Sequence, residues 1–314
     1  MIRRRHTLAL GLGLLAPLPQ ANAQQRPQPP LPQTTVRAVA SFSILADLVQ
    51  EVGGPRVGVR SLVPVGQDLH RFQPSPSDVR GVTDAGVFVI NGLGLEGWAE
   101  RIAQAARFKG KRVVATKGLQ ALPAGHKHAK KGAGKSHAHG AHDPHAWLDV
   151  ANIRVYVANI RDGLAGADPD AAGTYAERTT AYLSKLDALD AEIRAILAPI
   201  PRANRRIVTT HEAFNYYGDA YNVDFLAPVG LSTEQEPTPR EFAALIAQIQ
   251  RERIRALFLE SGTSPRLIEQ IARETGVRIG GTLHVETLTP AGGPAATYID
   301  LMRTNTRAIA AALA

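Results

Sequence analysis

Histidine is the residue through which this sequence could do chemistry. Three histidines lie in well-separated segments: His70 in GQDLHRFQPSPSDV, His145 in DPHAWLD and His211 in RIVTTHEAF. Each one taken alone reads as an ordinary surface or loop residue. Together they sit at strand ends or in loops with the rigidity to hold a ligand. Cysteine is absent, so any metal must be held by nitrogen and oxygen donors. Imidazoles arriving from three separate segments suit Zn²⁺.

The stretch from His126 to Trp147, HKHAKKGAGKSHAHGAHDPHAW, holds six of the ten histidines. Its first part is Gly, Ala, Lys and His with no large apolar residue, which predicts a mobile tether without a core. DPHAWLD has a rigid Pro, a Trp and a Leu, and is expected to be held in place. We therefore set the border at Asp143. His126, His128, His137, His139 and His142 are assigned to the tether, where His-x-His pairs chelate zinc weakly, and His145 to the fold.

Three motifs look like sites and fail. Gly92-Leu-Gly94-Leu-Glu-Gly97 matches the dinucleotide fingerprint, but Thr116-Lys117 stands where that fingerprint needs an acid. The glycines are expected to make a tight turn and close packing. His211-Glu212 resembles the start of H-E-x-x-H, yet position 215 is Asn. Ser261 in ESGTS lacks the context of a nucleophile elbow.

Composition narrows the class. The net charge of +8 includes Arg3, Arg4 and Arg5, and four lysines of the His-rich stretch, which leaves about +1 for the rest. No basic face remains to follow a phosphate backbone, so nucleic acid is not expected as a partner. Residues 1–23 read as a secretory signal peptide: an Arg-rich start, an apolar Leu8–Leu18 core and a small-residue end at Ala21-Asn22-Ala23. The apolar run is too short for a span of ~20 residues. Cleavage before Gln24 and a periplasmic location are expected, by the general or the twin-arginine route.

The elements that must carry the histidines follow from the apolar pattern. Residues 24–34 read as a Pro/Gln-rich disordered leader. Val36–Ser41, Val57–Val63, Val87–Asn91 and Arg112–Thr116 read as strands, with helices over Ile44–Val52, Ser77–Ala85 and Gly97–Ala106. The same rhythm returns with strands Arg206–Thr210, Ala256–Glu260 and Arg278–Leu283. Helices there are expected over Phe214–Tyr221, Arg240–Glu252, Pro265–Thr275 and Tyr298–Leu313. Strands alternating with helices predict parallel sheets. Between the halves, Asp168-Pro169 reads as the N-cap and first position of a long helix ending at Pro199. Tyr175, Thr179, Tyr182, Leu186, Leu189, Ile193 and Ile196 form its apolar stripe. The expected architecture is α/β: an N-terminal lobe over 35–167, a rigid linker helix over 168–199 and a C-terminal lobe over 200–314, with a cleft between the lobes. A single doubly wound sheet is the alternative.

GQDLHRFQPSPSDV, VFVINGLGLEGW, the His-rich insert, HDPHAWLD, TTHEAFNYYGDAYNV, ETGVRIGGTLHVETL and GPAATYIDLMRTNT carry a resemblance. The chain resembles the periplasmic zinc/manganese-binding proteins of ABC metal-uptake transporters, the ZnuA/TroA-like substrate-binding family. The resemblance implies metal ligands at His70, His145 and His211, with a carboxylate from the C-terminal lobe. That carboxylate is usually an Asp in an Asp-Ser-Leu-like turn; here the turn is Glu286-Thr287-Leu288, so Glu286 is expected as the fourth ligand. Asp68 and Asp143 are backup or supporting residues, and His284 is expected to be structural.

The resemblance implies that a histidine at the third position goes with zinc-type members and a carboxylate with many manganese-type ones, in line with donor preferences. The implied function is capture of Zn²⁺ and delivery to an ABC permease, by a monomer. A periplasmic zinc metallochaperone is a candidate further partner, which the sequence itself does not decide. Manganese or another divalent metal is the alternative cargo. No enzyme activity is expected; an exported zinc metalloenzyme is the competing class, separated by whether a fourth protein ligand fills the position a reactive water would need. Zinc affinity is expected to fall as pH drops through about 6.5 to 5, because neutral imidazole is the ligand.

Overall fold

Four short strands in each half of the chain pair in parallel, the central ones apolar and buried and the outer ones partly exposed. A computed structural model describes residues 35–125 and 141–314. In the first half, β1 (Val36–Ala40), β2 (Val57–Ser61), β3 (Val87–Ile90) and β4 (Lys111–Val114) form a parallel sheet of order β2-β1-β3-β4. Every residue of β3 is buried, the mark of a central parallel strand covered on both faces. Helices α1 (Ser43–Gly53), α2 (Pro76–Thr83) and α3 (Ala99–Ala105) lie between the strands. Helix α2 starts on a capping box from Ser75 to Asp78 with Pro76 at its first position.

The second half repeats the plan. Strands β5 (Arg206–Val208), β6 (Asp224–Leu226), β7 (Ala256–Glu260) and β8 (Ile279–Leu283) form a parallel sheet of order β6-β5-β7-β8. Its helices are α6 (Asn215–Tyr221), α7 (Pro239–Glu252), α8 (Arg266–Thr275) and α9 (Tyr298–Leu313). Two α/β lobes with parallel sheets, joined by a long helix, are the architecture expected. The strand β6 was not foreseen; three residues are too few to show alternation.

Between the sheets lie α4 (Val150–Ala167) and α5 (Ala172–Leu197), packed side by side. Sequence reading missed α4, although Asp149 caps it and Val150, Ile153, Val157, Ile160 and Leu164 are buried on one stripe. The linker helix α5 also begins later than expected. Asp168 stands at the N-cap position of a 3-10 turn, Pro169–Ala171, that runs directly into α5, but its side chain makes no capping bond. Its carboxylate instead accepts from Arg56 at 3.0 and 3.1 Å and from the Tyr175 hydroxyl at 2.8 Å. The stripe along α5 is as predicted through Ile193, with Leu197 rather than Ile196 closing it. At 26 residues α5 is about 39 Å long.

One hydrophobic core runs through both lobes, including Phe42, Phe88, Trp147, Tyr182, Phe258 and Met302. A smaller cluster, with Leu245, Ile249, Leu257 and Ile268, sits under α7 and α8. The glycine-rich loop after β3 turns with three successive residues at positive φ, Gly92 (91°), Leu93 (56°) and Gly94 (83°). Its amides are occupied from within. The buried Glu96 carboxylate accepts from Asn91 N–H at 2.6 Å, Gly92 N–H at 3.1 Å and the Ser41 hydroxyl at 2.6 Å. An internal carboxylate thus takes the amides that a dinucleotide fingerprint would offer to pyrophosphate.

Asp47 of α1 reaches across to α9, accepting the Tyr298 N–H at 2.8 Å. Burial, with Glu51 and Asp300 nearby, pushes its pKa from 3.8 up to about 6, against the pull of that N–H and Lys185. The folded state therefore binds more protons than the unfolded chain between these two values, and stability falls as pH rises through them. Replacing Asp47 by Asn keeps an acceptor for Tyr298 and removes the charge. Chemical denaturation is expected to show the variant more stable than wild type by about 1–3 kcal/mol near pH 7, with the gap closing toward pH 4. A gap that does not change with pH would exclude Asp47 as its source.

Candidate metal centre

Each of the three sequence-picked histidines stands beyond the C-terminal end of a strand or in a turn packed against one, as ligand sites in open α/β sheets do. His70 lies in the loop between β2 and α2. His145 follows the Asp143-Pro144 turn, and His211 lies three residues beyond β5. Glu286 follows β8. The structure brings all four together: one donor atom from each, all within 4.8 Å of one another. Glu286 Oε1 stands 2.7 Å from His70 Nε2, 3.3 Å from His211 Nε2 and 3.6 Å from His145 Nε2.

Two of the rings are held from behind. Asp143 Oδ1 accepts the His145 N–H at 2.9 Å and faces its Nδ1 at 2.8 Å. The other Asp143 oxygen accepts from Asn215 at 2.9 Å. Glu260, the last residue of β7, accepts the Thr210 and His211 amides at 2.8 and 3.2 Å and meets His211 Nδ1 at 2.5 Å. A carboxylate at Nδ1 fixes the tautomer that turns the Nε2 lone pair inward and raises its basicity. Those two Nε2 atoms face each other at 3.4 Å.

His70 Nε2 and Glu286 Oε1 are buried without a hydrogen-bond partner, despite their 2.7 Å separation. Lone pairs aimed at a common point, rather than at each other, account for both facts. Such a set of nitrogen and oxygen donors can hold a divalent cation.

The electrostatics agree. Burial opposes charge on His145, but Asp143 and Glu286 outweigh it and raise the imidazole's pKa. For His211 burial is likewise overcome, by Glu260 first and Glu286 next, and the pKa stands well above the ordinary 6.5. Burial works against ionisation of Glu286, yet His70, His145 and His211 hold its pKa well below the usual carboxylate range. This pocket stabilises positive charge at its centre.

Asp68 is not among the converging donors. Its Oδ1 accepts the His70 and Arg71 amides at 2.9 and 3.4 Å, and its Oδ2 accepts the Thr233 hydroxyl at 2.6 Å. Asp143 supports His145, as just described. His284 is buried and structural: its backbone pairs with the Asn305 side chain, and its ring meets Ser261 at 3.2 Å. Sequence reading missed Glu260, whose one signal was its place at the tip of a predicted strand beside that of His211.

The border set at Asp143 falls too late. Ala141 and His142 belong to a short neck, with His142 bridging Pro123 and Ala124 N–H donating to Ala141 O at 3.1 Å. Asp143 N–H then donates to Leu122 O at 2.8 Å, and the Tyr216 hydroxyl joins Leu122 N–H to Asp143 O. His142 is exposed, on this neck. The expectations for His126, His128, His137 and His139 fall outside the described residues.

Two parallel-sheet lobes with a buried His₃Glu cluster drawn from both are built as a metal-binding protein would be, with donors that could enclose an ion. The family described as zinc-uptake complex component A, periplasmic, matches residues 38–312. The chain belongs to that family, the periplasmic metal-binding components of ABC uptake systems. It is 34% identical over 270 residues to the manganese-binding lipoprotein MntA of Halalkalibacterium halodurans, covering 86% of each chain. It is 32% identical over 274 residues to the iron-binding protein YfeA of Yersinia pestis, covering 87% of this chain and 85% of that one. The periplasmic zinc-binding protein TroA of Treponema pallidum superposes with a TM-score of 0.80 at 26% identity, over 89% of this chain and 99% of that one. Among the described residues no helix is long and apolar enough to cross a membrane.

Proposed function

We propose that this protein captures Zn²⁺ in the periplasm with His70, His145, His211 and Glu286 and delivers it to the membrane permease of an ABC transporter. The observation that carries this is the convergence of those four donor atoms within 4.8 Å. Three imidazoles and one carboxylate oxygen form a set that zinc favours in tetrahedral geometry. With Glu286 as donor the tetrahedron is complete, leaving no position for a reactive water, so capture rather than hydrolysis is the reading. All four donors come from one chain, so the site needs no residue from a second copy; export by a leader ending at Ala23 is part of this reading.

Manganese or iron is the second reading, supported by the names of the relatives MntA and YfeA. A harder cation with six-coordinate preference would want more oxygen donors than this cluster offers. Calorimetric titration of metal-free protein with Zn²⁺ and with Mn²⁺, followed by X-ray absorption at the zinc edge, tests the choice. The expected outcome is one tight zinc site with three nitrogens and one oxygen from protein, and weaker manganese binding. Tighter manganese than zinc would overturn the cargo, and three protein donors plus water would reopen the enzyme reading.

A further inference from the structure

His70 is the ligand without a carboxylate holding its ring, and its loop is fastened differently. Asp68 and Arg71 bracket it in sequence, and both reach one residue of the other lobe. Thr233 gives its hydroxyl to Asp68 Oδ2 at 2.6 Å, and its carbonyl accepts from the Arg71 guanidinium at 2.6 Å. The other oxygen of Asp68 accepts the His70 N–H at 2.9 Å. Thr233 is buried, in a segment that carries none of the four converging donors. Two further bonds fasten the loop, Gly66 N–H to the Thr287 hydroxyl at 2.8 Å and Leu69 N–H to Glu286 Oε2 at 3.2 Å. These involve a donor residue or its neighbour. The Thr233 contact stands apart.

We propose that Thr233 is a positioning residue for metal capture: through Asp68 it clasps the His70 turn onto the C-terminal lobe and so sets how long the metal is retained. This rests on the zinc-capture reading above. The hydroxyl acts on Asp68, which shapes the turn, and the carbonyl steadies Arg71 on the far side of His70. A metal leaving the site needs His70 to withdraw, and withdrawal breaks the clasp. Loss of the clasp therefore acts on dissociation, the step through which most affinity differences between related complexes arise.

The test is stopped-flow kinetics with Zn²⁺ on the full exported chain, dissociation being read by transfer to excess chelator. Thr233→Val keeps shape and carbonyl but removes the hydroxyl; Thr233→Ser keeps the hydroxyl. Loss of a hydrogen bond to a charged group predicts dissociation about tenfold faster for Thr233→Val, with association within about twofold of wild type. Thr233→Ser should restore slow dissociation. Arg71→Met, at an exposed side chain, should give a smaller acceleration in the same direction, which keeps the test open if Thr233→Val folds poorly. Wild-type dissociation in Thr233→Val, or Thr233→Ser as fast as Thr233→Val, would overturn the clasp while leaving zinc capture intact. Failure of the wild type to retain zinc would overturn the reading beneath it.

Discussion

A His211→Ala variant is expected to bind zinc at least ~100-fold more weakly than wild type, the largest effect of any single change at the site. The reason is more than one lost donor. His211 Nε2 is 3.3 Å from Glu286 Oε1 and 3.4 Å from His145 Nε2, so its ring closes the centre of the cluster. Its removal also leaves Glu260 buried with its charge facing a void, because His211 Nδ1 is that carboxylate's side-chain partner. Glu260→Gln is the graded companion. It keeps an oxygen for the Thr210 and His211 amides but no longer enforces the tautomer, so a loss of about 10- to 100-fold is expected. Competition against a chelator of known affinity measures both. Near-wild-type binding by His211→Ala would remove this residue from the site.

Zinc affinity is expected to fall steeply with acid, by roughly 100-fold per pH unit once the imidazoles begin to protonate. Metal must displace whatever protons the imidazoles carry, and each proton displaced contributes one tenfold step per pH unit. His145 and His211 both have raised pKa values, burial being outweighed by Asp143 and Glu260 respectively, with Glu286 adding to each. The decline should therefore start above the ordinary value of 6.5, not only below it. The stability of the metal-free protein runs the other way. The raised imidazoles contribute fully below their unfolded value and cease to contribute as pH rises through their folded ones. Glu286, held low, loses its contribution only as pH falls below 4.5 through its own folded value. Isothermal titration from about pH 8 to about pH 5 would sink this if affinity stayed flat, or fell tenfold per unit only below about 6.5.

How much of this could be read from the sequence depended on the range of the signal. The three histidines were legible because each sits in a short motif with a rigid neighbour, such as Pro144, or at a strand tip. Glu286 came through resemblance, and the structure places its oxygen at the centre of the imidazoles. Glu260 and Thr233 were not legible as supporting groups, since their partners lie 49 and 165 residues away and no local pattern announces such pairs. Asp168-Pro169 was read half right, for the opposite reason: it opens a 3-10 turn that runs into α5, but the carboxylate does not cap it. The local signal for a helix cap was present, and Arg56, 112 residues distant, claimed the carboxylate. Helix α4 was readable and missed: its stripe begins immediately after the motif that drew attention to His145.

The larger hydrophobic core, shared by the two lobes, limits how the cargo can leave. Lobes with separate cores can swing apart and expose only a polar seam. Here a wide swing would pull Trp147 and Tyr298 from a packing that spans both halves, and would break the Trp147 bond to Val285 O and the Tyr298 bond to Trp147 O. Exposing that much apolar surface costs more than parting a few hydrogen bonds at the rim. On the proposed reading the molecule yields like a spring clip: its frame stays set, and release is expected to come from lifting the short loop that carries His70.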